Sequence, residues 1–251
     1  MTEGHATALR STAGQRYLEM AGTLIDRLAT VEWPNIDAAA ALMTEAMAGG
    51  NSIHAFGSGH SHMFAEELFY RAGGLVRVAP ILFEGLMLHG SAPLSTALER
   101  VPGLATAILD DHPIRSGDVL LIASNSGSNA VITEMAQAAR ARGLRTIAIT
   151  SIDHATSDAV RQRDVPRLHE LVDVVIDNGG VVGDAAVDIE GLPIRVAPTS
   201  TVVAAAIANS LVAEVAERLM ARGIEPEIFS SSNVAGGDVV NQGHLRQAVG
   251  R

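Results

Sequence analysis

Two short turns in the sequence combine glycine with hydroxyl and amide side chains. They are Gly57-Ser58-Gly59-His60-Ser61 and Ser124-Asn125-Ser126-Gly127-Ser128-Asn129. A helix N-terminus offers free N–H groups, glycine lets an anion approach the backbone, and serine and asparagine add donors. Each turn alone is typical of a helix cap, but two of them on neighbouring strand ends favour an anion site. The two turns therefore predict binding of a phosphate ester.

Acid–base side chains follow the first turn. His62 and Glu66 are four residues apart on a predicted helix and share a face. Glu67 lies on a neighbouring face, with Arg71 four residues beyond it. His62, Glu66 and Glu67 are candidate catalytic residues, because a positioned carboxylate or imidazole can move a proton. The alternative for Glu67 is an ordinary surface ion pair with Arg71.

Glu84 is a second candidate base. It follows an apolar strand and stands alone in the segment LFEGLML, where desolvation by its neighbours would strengthen a carboxylate as a base. The alternative is a solvated loop carboxylate. Asp184 and Glu190 are weaker candidates, and His89 and His244 lie in predicted loops that could reach the site of either subunit.

Several kinds of chemistry are excluded or disfavoured by composition. The chain has no cysteine, and all 18 of its basic residues are arginine. Thiolate nucleophiles, disulfides, Schiff-base lysines and a P-loop lysine are therefore absent. His60 and His62 could be read as a metal pair, but there is no HExxH motif and no clear third ligand. We expect neither a metal nor another cofactor.

The length and composition of the chain are typical of a folded protein of moderate size. It has 251 residues, of which 47% are hydrophobic, and a formal net charge of −10. The negative charge argues against a nucleic-acid partner, since such binding needs clustered arginine and lysine. The N-terminus has no long apolar run, and no stretch of about 18 apolar residues predicts a membrane span. We expect a cytoplasmic protein without a membrane partner.

The elements that position these residues alternate between strands and helices. Helices are predicted over residues 17–28, 36–47, 61–72 and 198–222, with another ending at Arg142, and the strands read as SIHAF, VRVAPIL, GDVLLIAS, RTIAIT and VDVVID. Strands that are apolar throughout and separated by helices indicate a parallel sheet covered on both faces. The predicted class is α/β, a single doubly wound, Rossmann-like domain with a five-stranded parallel sheet flanked by helices.

Three regions are predicted along the chain. Residues 1–50 form N-terminal helices that pack on the domain or on a dimer partner, and residues 51–224 form the core. Residues 225–251 form an irregular tail rich in turn formers, which could complete the site.

The combination of motifs resembles the SIS (sugar isomerase) family of phosphosugar-binding domains. GSGHS is similar to the family's first glycine turn, and SNSGSN is similar to its SxSGxT phosphate loop, with Asn129 in place of threonine or serine. PTST, residues 198–201, is similar to the segment that opens the family's C-terminal helix, which brings in Thr199 and Ser200. The resemblance covers about residues 35–222.

The resemblance implies which residues bind the phosphate and what the activity is. Phosphate would be held by Ser124, Asn125, Ser126 and Asn129, with Ser61 near the sugar. Heptose-phosphate isomerases of the family carry a catalytic glutamate in a similar FAEEL helix, one helical turn further from the glycine loop. The resemblance therefore points to Glu66 or Glu67. SGHSHMFAEELFYRAGG, GDAAVDIEG and SSSNVAGGD resemble a bacterial branch associated with N-acetylglucosamine-6-phosphate dehydratase.

Three functions stay open at this point. The favoured one is a lyase that removes the C2 proton and the C3 hydroxyl of N-acetylglucosamine 6-phosphate. The second is an aldose–ketose isomerase, and the third is a sensor that binds a sugar phosphate without chemistry. A homodimer or larger homo-oligomer is expected, because the first helix and the alanine-rich last core helix carry more apolar surface than one sheet face covers.

Overall fold

The computed structural model describes residues 11–159 and 165–249. Its centre is a five-stranded parallel sheet in the order β2-β1-β3-β4-β5. The strands are β1 (Ile53–Gly57), β2 (Val78–Ile81), β3 (Val119–Ala123), β4 (Arg145–Thr150) and β5 (Val174–Asp177). The predicted class and the five predicted strands are confirmed.

The central strands are apolar throughout because helices cover both faces of the sheet. Every residue of β1 and of β3 is buried. Alternate side chains point to opposite faces, so Leu121 joins one core cluster and Leu120 the other. This two-sided burial is typical of a parallel sheet in a doubly wound domain.

Helices α1 and α2 begin the described chain and pack on the face that also carries α3 and α9. The other face is covered mainly by α5 and α6. The helices are α1 (Ala13–Thr30), α2 (Trp33–Ala48), α3 (His62–Leu68), α4 (Leu88–Leu98), α5 (Leu104–Asp110), α6 (Ala130–Ala141), α7 (Ile152–Thr156), α8 (Leu168–Leu171), α9 (Ser200–Ala221) and α10 (Gly237–Val249). In the described part of the chain, no helix has the length and apolar composition needed to cross a bilayer.

Two helices differ from the sequence prediction in their bounds. The second helix was expected from residue 36, but α2 already begins at Trp33, and Pro34 lies in its first turn, where its missing N–H has no intrahelical partner to lose. Helix α3 ends at Leu68 instead of continuing to Ala72, and Tyr70 has a positive φ of 42°. The chain then pairs with the tail, because Gly73 N–H donates to Phe229 O at 2.8 Å.

The tail is more ordered than the sequence predicted. Helix α10 occupies residues for which an irregular segment was expected, and Asn241 on this helix exchanges hydrogen bonds with the backbone of Ser230 at 2.9 Å. An antiparallel pair, β6 (Ala185–Val187) and β7 (Val196–Pro198), was also missed. Its strands are three residues long, too short for an alternating pattern to be visible in the sequence.

Candidate active site

The two glycine turns lie side by side at one edge of the sheet. Gly57 and Ala123, the last residues of β1 and β3, are paired in register. β1 has β2 on one side and β3 on the other, so the connections that leave β1 and β3 run in opposite directions. A crevice forms at such a switch point, outside the carboxyl ends of the strands.

The first turn needs glycine for steric reasons. A Cβ on Gly57 would lie 2.2 Å from the carbonyl oxygen of Ser61, so the backbone passes too closely for a side chain. Gly59 has a positive φ of 55°, in the left-handed region that glycine adopts without strain. The turn then winds through one 3-10 turn, Gly59–Ser61, into α3, with Ser58 nearly buried beneath it.

The second turn is held by one hydrogen bond within the turn and by another from the residue that begins α8. Ser124 Oγ accepts a hydrogen bond from Gly127 N–H at 3.1 Å, and Gly127 O accepts one from Leu168 N–H at 2.9 Å. No acceptor in the described part of the chain receives the N–H groups of Ser126, Ser128 and Asn129. Ser128 and Asn129 directly precede α6, whose N-terminus carries a partial positive charge. The geometry suits an anion.

A cleft opens beside the two turns, between α3 and α9. Six of the residues singled out in the sequence line it: His60, Ser61, Glu67, Ser124, Asn125 and Ser200. Asn178 and Thr201 also line the cleft. The rest of its wall is apolar and consists of Met63, Phe64, Ala123, Ile149, Ala204 and Ala205. Gly57, Ser58, Gly59, Ser126, Ser128, Asn129 and Thr199 shape or flank the turns without lining this cleft.

Glu67 is the carboxylate that lines the cleft. Its Oε1 accepts a hydrogen bond from Asn209 Nδ2 on α9 at 2.7 Å and forms an ion pair with Arg71. Both contacts fall on Oε1, and they fix the side chain between α3 and α9. The pair with Arg71 expected from the sequence is therefore present, and it orients a carboxylate at the cleft.

The other predicted acid–base groups lie outside the cleft lining. His62 is nearly buried, with Nδ1 against Gly59 O and Nε2 3.6 Å from Glu66 Oε1. Its ring centroid lies 6.0 Å from that of His89, which opens α4. Glu66 has a side chain that is 47% exposed, and Glu84 is exposed at the start of a 3-10 turn. The apolar surroundings expected for Glu84 are not present around its side chain in the single chain.

Asn129 makes a contact that the sequence did not suggest. Its Nδ2 donates to Glu99 Oε2 at 2.9 Å, and the backbone oxygen of Glu99 accepts from Val131 N–H at 3.1 Å. A Cβ on Gly59 would lie 3.2 Å from Glu99 Oε1, so Glu99 touches both turns. Sequence reasoning missed Glu99, because a glutamate at a helix end carries no distinguishing signal.

Asp184 caps the long helix α9. Its Oδ1 accepts hydrogen bonds from Thr199 N–H at 3.2 Å and Ser200 N–H at 3.0 Å, and its Oδ2 accepts from the Ser200 hydroxyl. The N-terminus of α9 is thus already occupied by a carboxylate. Burial lowers the pKa of nearby His154 below its usual value, and the charge of Asp184 partly opposes this shift. Glu190, the weaker candidate, is exposed in the connection between β6 and β7.

The remaining histidine candidate, His244, packs its ring 6.1 Å from that of Phe229, away from the cleft lining. Within the described ranges, no three His, Asp or Glu side chains converge as metal ligands.

Comparison with known proteins places the chain in a family. A family model described as SIS domain matches residues 16–151. The chain is 46% identical over 211 residues to a UPF0309 protein of Geobacillus thermodenitrificans, covering 84% of this chain and 85% of the relative. It is 41% identical over 237 residues to a UPF0309 protein of Streptomyces coelicolor, covering 94% of each.

Solved structures share the fold. Phosphoheptose isomerase GmhA from Neisseria gonorrhoeae superimposes with a TM-score of 0.51 at 19% identity, covering 84% of this chain and all of that one. A phosphoheptose isomerase from Francisella tularensis gives a TM-score of 0.52 at 15% identity, covering 81% of this chain and 96% of that one. With the SIS-domain model matching more than half of its length, the chain belongs to the SIS-domain family.

Proposed function

We propose that this protein is an enzyme that binds a sugar phosphate in the cleft between α3 and α9. The observation that carries the proposal is that Ser124 and Asn125, the first residues of the Ser124–Asn129 loop, and the Glu67 carboxylate line one cleft at the switch point of the sheet. The phosphate would lie on the open N–H groups and hydroxyls of that loop, and the sugar would extend toward α3. Membership of the SIS-domain family and the phosphosugar isomerases among the structural neighbours support this class of ligand.

The carbonyl end of the bound sugar would lie next to the Glu67 carboxylate. In the open-chain aldehyde, the C2 proton is acidic because the carbonyl delocalises the resulting charge, so a carboxylate can remove it. His60 also lines the cleft and can serve as the acid. A non-catalytic sensor would have no need for a carboxylate at this place, so Glu67 supports an enzyme.

The proposed reaction is dehydration of an N-acetylhexosamine 6-phosphate, with N-acetylglucosamine 6-phosphate as the substrate. Glu67 takes the C2 proton, the C3–O bond breaks, and His60 donates a proton so that the hydroxyl leaves as water. A C2=C3 double bond forms, and the acetamido group stays on C2. Elimination is the natural outcome because a C2 ketone cannot form while the amide remains. The apolar part of the cleft wall suits the acetyl methyl group.

Isomerisation of an aldose phosphate to a ketose phosphate is the second candidate. Glu67 is the only carboxylate among the described residues that line the cleft. One carboxylate is enough to carry a proton from C2 to C1 of a sugar with a C2 hydroxyl, whereas elimination also needs an acid near O3. The single cleft carboxylate is therefore the observation that keeps the isomerase as the second candidate.

Product analysis separates the two reactions. The purified protein is incubated with N-acetylglucosamine 6-phosphate and, separately, with glucose 6-phosphate, and each mixture is followed by proton NMR and ultraviolet absorbance. We expect an unsaturated N-acetyl sugar from the first substrate, without release of acetate or ammonia. Formation of fructose 6-phosphate from the second would establish the isomerase instead. Binding of both esters without turnover would establish a sensor, and no binding would refute the proposal.

A further inference from the structure

A chain of amide groups leads from the loop after β5 to the cleft. Gly180 N–H donates to Asn178 Oδ1 at 2.8 Å, and Asn178 Nδ2 donates to Asn125 Oδ1 at 2.9 Å. A backbone N–H can only donate, so the oxygen and nitrogen of the Asn178 carboxamide are assigned without ambiguity. The same logic assigns Asn125: its oxygen accepts from Asn178, which leaves its Nδ2 as a donor.

The Asn125 Nδ2 is a buried donor without a protein acceptor in the described part of the chain. Both asparagines line the cleft, and Asn178 is almost wholly buried. A buried N–H group without an acceptor is unfavourable, and such groups in folded proteins call for an explanation. An oxygen of a ligand in the cleft would satisfy it.

The surrounding backbone holds this arrangement in place. Asn178 N–H donates to Thr150 O at 2.8 Å, and Asn125 O accepts from Ser151 N–H at 3.3 Å. The ends of three neighbouring strands are thereby joined. A Cβ on Gly180 would lie 3.0 Å from Asn178 Oδ1 and 3.4 Å from Asn125 Oδ1, so the two amides pack closely against this glycine.

We propose that Asn178 is a positioning residue for recognition of the phosphate ester. It locks the Asn125 carboxamide so that Nδ2 presents its N–H groups to an oxygen acceptor of the bound ester. The inference rests on the proposed function, because it assumes that a sugar phosphate occupies the cleft. Asn178 itself acts through Asn125 and has its own donor engaged with that residue.

The test compares two substitutions of Asn178 that act differently on Asn125. In Asn178→Asp the carboxylate still accepts from Gly180 N–H, but it has no N–H for Asn125 Oδ1. The Asn125 amide then reverses and turns its oxygen to the ester. Asn178→Leu is similar in size and adds no charge, and it leaves Asn125 without an orienting partner. We expect N-acetylglucosamine 6-phosphate to bind at least about tenfold more weakly to both variants in calorimetry, the loss of one hydrogen bond to a charged or polar group.

Inorganic phosphate serves as a second probe. Equal weakening for phosphate and for the sugar ester would place the Asn125 contact on a phosphate oxygen, and weakening of the ester alone would place it on a sugar oxygen. In ¹⁵N-labelled protein, the Asn125 side-chain NH₂ signal, assigned by its loss in Asn125→Asp, should shift when the ester binds. The same signal should not respond to the ester in Asn178→Leu.

Asp118→Asn is the matched control, since it alters a buried polar side chain at the opposite, amino end of β3. We expect it to lower stability and leave affinity for the ester unchanged. Unchanged affinity in folded Asn178→Asp and Asn178→Leu, while the wild type binds, would overturn the role of Asn178 and leave the proposed function intact. A wild-type protein that binds no sugar phosphate would overturn both.

Discussion

At the residue scale, the structure distinguishes carboxylates that are equivalent in the sequence. Glu66 and Glu67 are neighbours on α3, yet Glu67 lines the cleft and contacts Asn209, whereas the Glu66 side chain faces His62 and solvent. Glu84 is exposed outside the cleft lining. The base proposed from the structure is therefore Glu67.

The first prediction concerns that base. Glu67→Gln should lower kcat by about 10²–10⁴-fold, because it removes a positioned general base and nearly keeps the shape of the side chain. Exchange of solvent deuterium into C2 of recovered substrate, followed by NMR, should fall with it. Glu217→Gln, an exposed carboxylate on α9, is the control and should retain activity. Full activity in Glu67→Gln together with its loss in Glu84→Gln would move the base to Glu84.

The second prediction concerns the phosphate loop. Ser124→Ala together with Ser126→Ala should weaken binding of any sugar phosphate by about 2–5 kcal/mol, the sum of one or two hydrogen bonds to a charged group. Asn129→Ala should have a smaller effect on affinity, because its Nδ2 already donates to Glu99. Calorimetry with one sugar 6-phosphate measures both, and an unchanged affinity in the folded serine double variant would contradict the loop assignment.

At the element scale, two interactions hold strands and helices in the positions that the site requires. Asp184 satisfies the first N–H groups of α9, and its own φ is positive, at 66°. At the amino ends of the strands, Asp118 accepts hydrogen bonds from Ser52 N–H at 2.9 Å and from His54 Nε2 at 3.0 Å. The second interaction ties the amino ends of β1 and β3, whose carboxyl ends carry the two turns.

The third prediction follows from the cap. Asp184→Ala should lower the free energy of unfolding by about 0.5–2 kcal/mol, the usual effect of removing an N-cap side chain. Urea denaturation followed by circular dichroism measures the change. Asp188→Ala, on an exposed carboxylate that pairs with Arg195, should change stability little. An equal loss in both variants would show that the cap does not stabilise α9.

The fourth prediction concerns pH. Burial lowers the pKa of His54 below its usual value, and Asp118 opposes the shift without reversing it. The unfolded chain therefore binds a proton at a higher pH than the folded chain does. The contribution of His54 to the free energy of unfolding should be fully present above about pH 6.5 and should be lost as the pH falls below that value.

Urea titrations at several pH values between about 5 and 8 test this sign. His54→Gln should reduce the pH dependence of the unfolding free energy, although it also lowers stability at every pH. His154 has a pKa shifted in the same direction, so His154→Gln should remove a further part of the slope. Stability that rises on acidification through this range would contradict the prediction.

At the scale of the whole molecule, apolar side chains lie on the surface of α1, of the β6–β7 connection and of α10. Leu18 is 70% exposed, and Ile194 and Val239 are each 75% exposed. Apolar side chains of this kind mark contacts with other chains where they form one contiguous patch. They are therefore the candidate contact residues for the expected homo-oligomer.

The fifth prediction is accordingly a homodimer or larger assembly. Light scattering at low micromolar concentration should give at least twice the 26.1 kDa of one chain. Leu18→Glu should shift the distribution toward the monomer if α1 lies in the contact, because a buried unpaired charge is unfavourable. A wild-type mass of 26.1 kDa would contradict the prediction.

The sequence by itself determined the sheet and the position of its turns. Apolar runs such as VLLIA in β3 are buried on both faces in any parallel sheet, so their character is local and readable. Gly57, Gly59 and Gly127 are required by a close backbone approach or a positive φ, and the same local requirement made the turns visible before the fold was known.

Only the tertiary structure decided which polar groups meet. Asn178 and Asn125 are 53 residues apart and Glu99 and Asn129 are 30 apart, so their pairing depends on strand order and helix packing rather than on local spacing. The α10 helix likewise has a weakly patterned sequence, and its contacts with Phe229, Ser230 and Ser232 are tertiary. Local propensity sets where the chain can turn, whereas the site arises from side chains that long-range packing brings to one edge of the sheet.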